Sequence, residues 1–179
     1  MAEAASIFVI FIRFFVPLTI LRWPLGGAVI AIFGDISDVM IMEKFGWGYS
    51  GDGSYHNFDK FFDTYYLFFE FLAVHRWQNT LARRTAKTLF LWRFVGFAIF
   101  EFTGFRPAFA LAPNIFEHFY LFWAAIIRFF PSFVLTPARL VIALLILGLP
   151  KVAQEYLMHY KYPDQTWNFI RDHFFWWLY

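Results

Sequence analysis

The stretch from Gly34 to Glu70 reads GDISDVMIMEKFGWGYSGDGSYHNFDKFFDTYYLFFE. It joins two apolar, helix-like runs through a polar, glycine-rich connection, Phe45 to Asn57, which is the clearest loop in the chain. Asp35, Asp38, Asp59, Asp63 and Glu70 lie in or beside the apolar runs. Residues three and four apart share one face of a helix. Asp35 and Asp38 therefore project together from the end of one helix, and Asp59, Asp63, Tyr66 and Glu70 form a polar stripe on the next. A tight helix pair brings both sets to the same end. Converging carboxylates repel unless a cation sits among them, and aspartate oxygens favour hard ions such as Mg2+ or Mn2+. Asp35, Asp38, Asp59 and Asp63 are thus candidate metal ligands. The competing reading leaves Asp59 and Lys60 at an interface and has Asp35 cap a helix or pair with an arginine.

Working outward, the rest of the chain explains why these acids stand out. Of its 179 residues, 60% are hydrophobic, 25% are aromatic and only 16% are charged, whereas a soluble domain carries about a quarter charged residues. Mean hydropathy is +0.53. The 28 phenylalanines exceed what one small aqueous core can bury, but lipid accepts them. Apolar runs of about 17–25 residues cross the hydrocarbon core as helices. Candidate spans cover 6–21 (interrupted by Arg13 and Pro17), 24–42, 58–74, 85–103, 108–130 and 137–160, the last kinked at Pro150. Long apolar runs without period-2 alternation argue against a barrel. The expected fold is all-α: a polytopic membrane helix bundle of about six transmembrane helices in one domain, 1–179. Residues 164–179 are too polar to span and too aromatic for a free tail, and read as a C-terminal interfacial helix.

The N-terminus carries Glu3 and no basic residue before its apolar run, so it reads as a retained first span rather than a cleaved signal. The expected location is integral, in a prokaryotic cytoplasmic membrane. The basic cluster Arg76, Arg83, Arg84 and Lys87 between the third and fourth helices would lie in the cytoplasm by the positive-inside rule, which puts both termini outside. A net charge of +2 gives no footprint for nucleic acid, and the lack of cysteine excludes disulfides and thiolate ligation.

Other ionisable residues lie deep in the runs. Arg13, Arg93 and Glu101 are expected in structural ion pairs, with an anionic headgroup or phosphate on Arg13 or Arg93 as the functional alternative. A haem held by His75 and His118 is disfavoured because both lie near helix ends. Carboxylate–histidine chemistry through Glu70, Glu117, His118, Glu155 and His159 is weighed equally low against interfacial histidines.

Arg13 with Pro17, then GDISDVMIMEK, then FDKFFDTYYLFFE resembles the helix-one arginine and the D-x2-D and D-x3-D acids of the CDP-alcohol phosphatidyltransferases. The resemblance covers residues 7–70. It implies six membrane helices, a metal held by Asp35, Asp38, Asp59 and Asp63, Asp63 as the catalytic base for the attacking alcohol, and a lipid substrate. It also implies a membrane orientation opposite to the one the basic cluster favours. The family's motif glycine is Val39 here, its alanine Met42 and its arginine Glu43, and the acid pairs stand about three residues further apart. Val39 would block a nucleotide at the backbone, and Glu43 reverses the charge where a phosphate needs a partner, so poor CDP binding is expected. The alternatives from other classes are a non-catalytic membrane scaffold or complex subunit, acting as a homodimer or with partner membrane subunits, and a small ion or solute transporter.

Overall fold

The computed structural model describes residues 2–45, 54–105, 107–157, 161 and 172–173. All regular structure among them is helical. The helices are α1 (Ala2–Phe15), a 3-10 segment η1 (Val16–Leu21), α2 (Pro24–Phe45), α3 (Ser54–Val74), α4 (Thr80–Thr103), α5 (Pro107–Leu111), α6 (Ile115–Phe129) and α7 (Pro137–Tyr156). The all-α class is as expected. Only α7 is long and apolar enough, by length and composition, to qualify as a membrane span among the described residues; α1 with η1 contributes a shorter apolar run, Ser6–Leu21.

Local chemistry explains where the boundaries depart from expectation. The first candidate span changes character at Pro17, which has no N–H to give to an α-helix; the chain continues as the tighter η1. Helix α2 runs on through Glu43 and Lys44 to Phe45, and α3 starts at Ser54, because 43–45 and 54–57 contain no glycine or proline to break them. The expected loop shrinks accordingly, and its residues 46–53 lie outside the described residues. Helix α4 begins at Thr80 rather than Thr85: the Asn79 side chain accepts the Ala82 N–H at 2.9 Å. It ends where Gly104 turns left-handed at φ 67° and donates to the Phe100 carbonyl. The fifth candidate span is broken by Pro113 into α5 and α6. Asn114 then caps α6, accepting the Glu117 N–H at 3.4 Å and donating to the Glu117 carboxylate at 2.7 Å. Thr136 caps α7 ahead of Pro137. The expected interfacial helix, 164–179, lies outside the described residues apart from 172–173.

The chain forms two compact units: Met1–Trp77 with Trp123–Pro131, and Gln78–Phe122 with Ser132–Tyr179. In the first, η1 packs on α2 and α3, and α1 on α2. Gly27 makes the tightest of these approaches, since a Cβ there would stand 2.5 Å from the Ile20 nitrogen. Val9, Ile20, Ala28, Phe62 and Val74 fill the interior, while Ile7, Phe8, Phe11, Phe33 and Phe61 point outward. In the second, Gly96 of α4 abuts Ala112 and Phe90 meets Phe116 edge to face at 5.2 Å. Helix α7 exposes Val141, Ile142, Leu145, Ile146 and Leu149 along one side.

Candidate functional site

Arg13 stands in the last turn of α1 and is buried, with 4% of its surface exposed. Burying a guanidinium is costly unless acids meet it, and three do. Arg13 Nη1 donates to Asp35 Oδ1, Nη2 donates to Asp63 Oδ1 at 3.0 Å, and Nε lies 3.0 Å from Asp38 Oδ2. Asp35 and Asp38 share a face of α2, as their spacing requires; Asp63 comes from α3. One fork-shaped cation thus ties three helices together, a task its fixed fan of N–H donors suits. The guanidinium carbon also sits 5.8 Å from the centre of the Phe62 ring.

The three carboxylates differ in access. Asp38 is 2% exposed, whereas the side chains of Asp35 and Asp63 keep 32% and 44% of theirs. The cluster is therefore buried on one side and open on the other. Beside Arg13 is a cavity of about 10 Å3, lined among others by Pro17, Gly34, Phe62 and Tyr66, room for about one water molecule.

Of the four proposed ligands, Asp35, Asp38 and Asp63 meet at Arg13. Asp59 lies one turn before Asp63 on α3, with its side chain outside the described residues. Among the described residues, no group of three or more histidine, aspartate or glutamate side chains is arranged around a point that would hold a metal; the three acids surround the guanidinium. Tyr66 and Glu70 complete the stripe on α3, with Tyr66 buried and Glu70 fully so, at 0% exposure.

A second, partly buried pair lies in the other unit, and spacing in the sequence points to only half of it. Arg93 donates to the Ala112 carbonyl at 3.0 Å and stands 3.9 Å from Glu155. Glu155 also faces Lys151, one turn earlier on α7, at 3.4 Å and lies at the Asn114 N–H at the start of α6. The ion pair expected for Arg93 is present, and its partner is Glu155, which the spacing had grouped with the histidines; His159 lies outside the described residues. Glu101 is exposed, and Glu117 is held by Asn114. His75 places Nδ1 3.0 Å from the Phe71 carbonyl at the exposed end of α3. His118 is half-buried on α6, and its Nδ1 is buried without a hydrogen-bond partner. Comparison with known proteins adds no relative: no family model, no curated protein and no solved structure matches the chain.

Proposed function

We propose that the chain is an integral membrane protein of about six membrane-crossing segments, α1 with η1, α2, α3, α4, α5 with α6, and α7, and that the acids around Arg13 form its working site, a site for a divalent cation. The observation that carries this reading is a convergence: Asp35, Asp38 and Asp63, from two helices, meet at one buried guanidinium. Carboxylates gathered in apolar surroundings favour a cation among them. Phenylalanines and aliphatic side chains on the outer surfaces of both units, with the apolar side of α7, support the membrane setting.

The donor chemistry fits Mg2+ or Mn2+, because only carboxylate oxygens are offered. Asp35, Asp38, Asp63 and Asp59 would hold the ion, which would neutralise a phosphate-bearing ligand beside it. Arg13 keeps α2 and α3 together and leaves the Asp35 and Asp63 side of the cluster open. A divergent lipid-headgroup transfer, with Asp63 next to the reacting alcohol, is the finer form of the proposal; the convergence of acids from D-x2-D and D-x3-D supports it, while Val39 and Glu43 weigh against a CDP donor. The second reading is a membrane scaffold or subunit, favoured by aromatic side chains left on the outside, such as Phe8, Phe61 and Phe102.

Titrating Mn2+ into purified protein in nanodiscs, followed by electron paramagnetic resonance, tests the site. Saturable binding that weakens in Asp38→Asn and Asp63→Asn supports it. Absence of binding in the native chain would refute the cation site and leave the scaffold.

A further inference from the structure

We infer that Arg22 and Arg76 form a docking site for the phosphate of an anionic phospholipid, at the end of the first unit where η1 turns into α2 and α3 stops. The inference rests on the membrane setting proposed above. It does not depend on the cation site at Arg13, which lies nine residues before Arg22.

The fold brings the two arginines together. Arg22 closes η1, its N–H donating to the Thr19 carbonyl at 3.0 Å, and the Trp23 N–H donates to the same carbonyl at 2.8 Å. The chain thus turns into α2 within two residues. Arg76 follows the end of α3, and its Nη1 donates to the Leu21 carbonyl. That carbonyl belongs to the peptide joining Leu21 to Arg22, so the Arg76 guanidinium sits against the backbone of Arg22. Both arginines are exposed. Among the described residues neither forms an ion pair: Asp35, Asp38 and Asp63 gather at Arg13, and Glu70, six residues before Arg76, is enclosed. A guanidinium carries five N–H donors. Arg76 directs one of them to Leu21, and the side chain of Arg22 uses none on the described residues.

The surroundings fit a lipid rather than a soluble phosphate. Trp23, next to Arg22, is 62% exposed, and tryptophan favours the depth of the headgroups. The elements leading to this end carry exposed apolar side chains: Leu18 on η1, Val29 and Ile30 on α2, and Phe68 on α3. A phospholipid has the same two parts, with acyl chains for the apolar sides and a phosphate whose oxygens match the fork of a guanidinium. A free phosphate answers only the arginines. Two cations without a carboxylate partner also favour a headgroup of net negative charge over a zwitterionic one.

Native mass spectrometry of the detergent-solubilised chain tests the inference. The protein is exchanged with an equimolar mixture of phosphatidylglycerol and phosphatidylcholine bearing the same acyl chains. Each cation at the headgroup level strengthens the binding of an anionic lipid about fivefold. The native chain should therefore retain phosphatidylglycerol over phosphatidylcholine by about thirtyfold, Arg22→Gln by about fivefold, and the double variant Arg22→Gln with Arg76→Gln without preference. Arg22→Gln removes no side-chain contact among the described residues, so it reads the site without disturbing the fold. Arg139→Gln, which removes the same charge from the start of α7, should keep the native preference. Equal retention of the two lipids by the native chain, or a preference unmoved by Arg22→Gln, would overturn the inference and leave the membrane setting standing. Displacement of the lipid by millimolar inorganic phosphate would assign the arginines to a soluble anion and overturn it as well. A chain that stays dispersed without detergent and retains neither lipid would overturn both the inference and the membrane setting.

Discussion

Replacing Arg13 with methionine should be the most damaging single change in the first unit. Methionine matches the stem of arginine but leaves three carboxylates facing each other. Arg13 and Asp38 expose 4% and 2% of their surfaces, so water does little to offset the loss. Breaking a buried pair by removing one partner costs about 3–5 kcal/mol, and loss of the contact with Phe62 adds about 0.5–1 kcal/mol. Neutralising the acids has a different sign pattern. Asp63 is half-exposed, where an ion pair is worth at most about 1 kcal/mol, and its removal relieves repulsion between it and the carboxylates of α2. Asp63→Asn should therefore stay within about 1 kcal/mol of the native chain, and Asp38→Asn should cost about 1–3 kcal/mol for a buried charged hydrogen bond. Equilibrium unfolding in mixed micelles, read by far-ultraviolet circular dichroism, gives these differences. In the double variant Arg13→Met with Asp38→Asn, the two losses should fall short of additivity. The reasoning fails if Arg13→Met is neutral, or if Asp63→Asn costs as much as Arg13→Met.

Gly27→Ala should destabilise by about 1–3 kcal/mol, because the new Cβ meets backbone atoms of Ile20, whereas Gly26→Ala, whose Cβ finds nothing nearer than 3.9 Å, should be neutral or stabilising in the same unfolding assay. Asn114→Ala should cost about 1 kcal/mol by uncapping α6, and Asn114→Asp should cost more, since it adds a carboxylate beside Glu117 and Glu155; thermal melts of the two variants give the order. The native chain has no cysteine, so a single Leu145→Cys can be probed directly. In membranes it should resist a charged, water-soluble maleimide and react with a lipid-soluble one; rapid labelling by the charged reagent would remove α7 from the bilayer.

Much of the helical order is legible in the residues, since the apolar runs are long and their breakers few. Pro17, Pro113 and Gly104 each mark a real change of backbone, but a proline does not announce what it does: at 17 the chain tightens into a 3-10 turn, and at 113 it stops and restarts under the Asn114 cap. Helix starts were read too late where a side chain captures the first amide, as Asn79 does. At the site, the i, i+3 spacing of Asp35 and Asp38 and the stripe on α3 are local facts that a helix enforces. That Arg13 gathers them is not local. It depends on α1 lying beside both α2 and α3, 22 and 50 residues further on, and spacing alone allows a metal, an arginine or water in the same place. The partner of Arg93 is hidden for the same reason: Glu155 lies 62 residues further on, on α7, where it also meets Lys151 one turn earlier.

The six residues of η1 also change how far the first apolar run reaches. A 3-10 turn advances about 2.0 Å per residue against about 1.5 Å in an α-helix. Ala2 to Leu21 therefore extends about 33 Å, where an unbroken α-helix of the same residues would extend about 30 Å. The hydrocarbon core of a bilayer is about 30 Å thick, and a helix that only just matches it has no slack for tilt. If α1 with η1 crosses the bilayer as proposed, the stretched segment would supply that slack without adding a residue. In the proposed membrane setting Arg13, about 17 Å along the run from Ala2, would stand close to its midpoint, where the carboxylates of α2 and α3 would take the place of bulk water around the guanidinium.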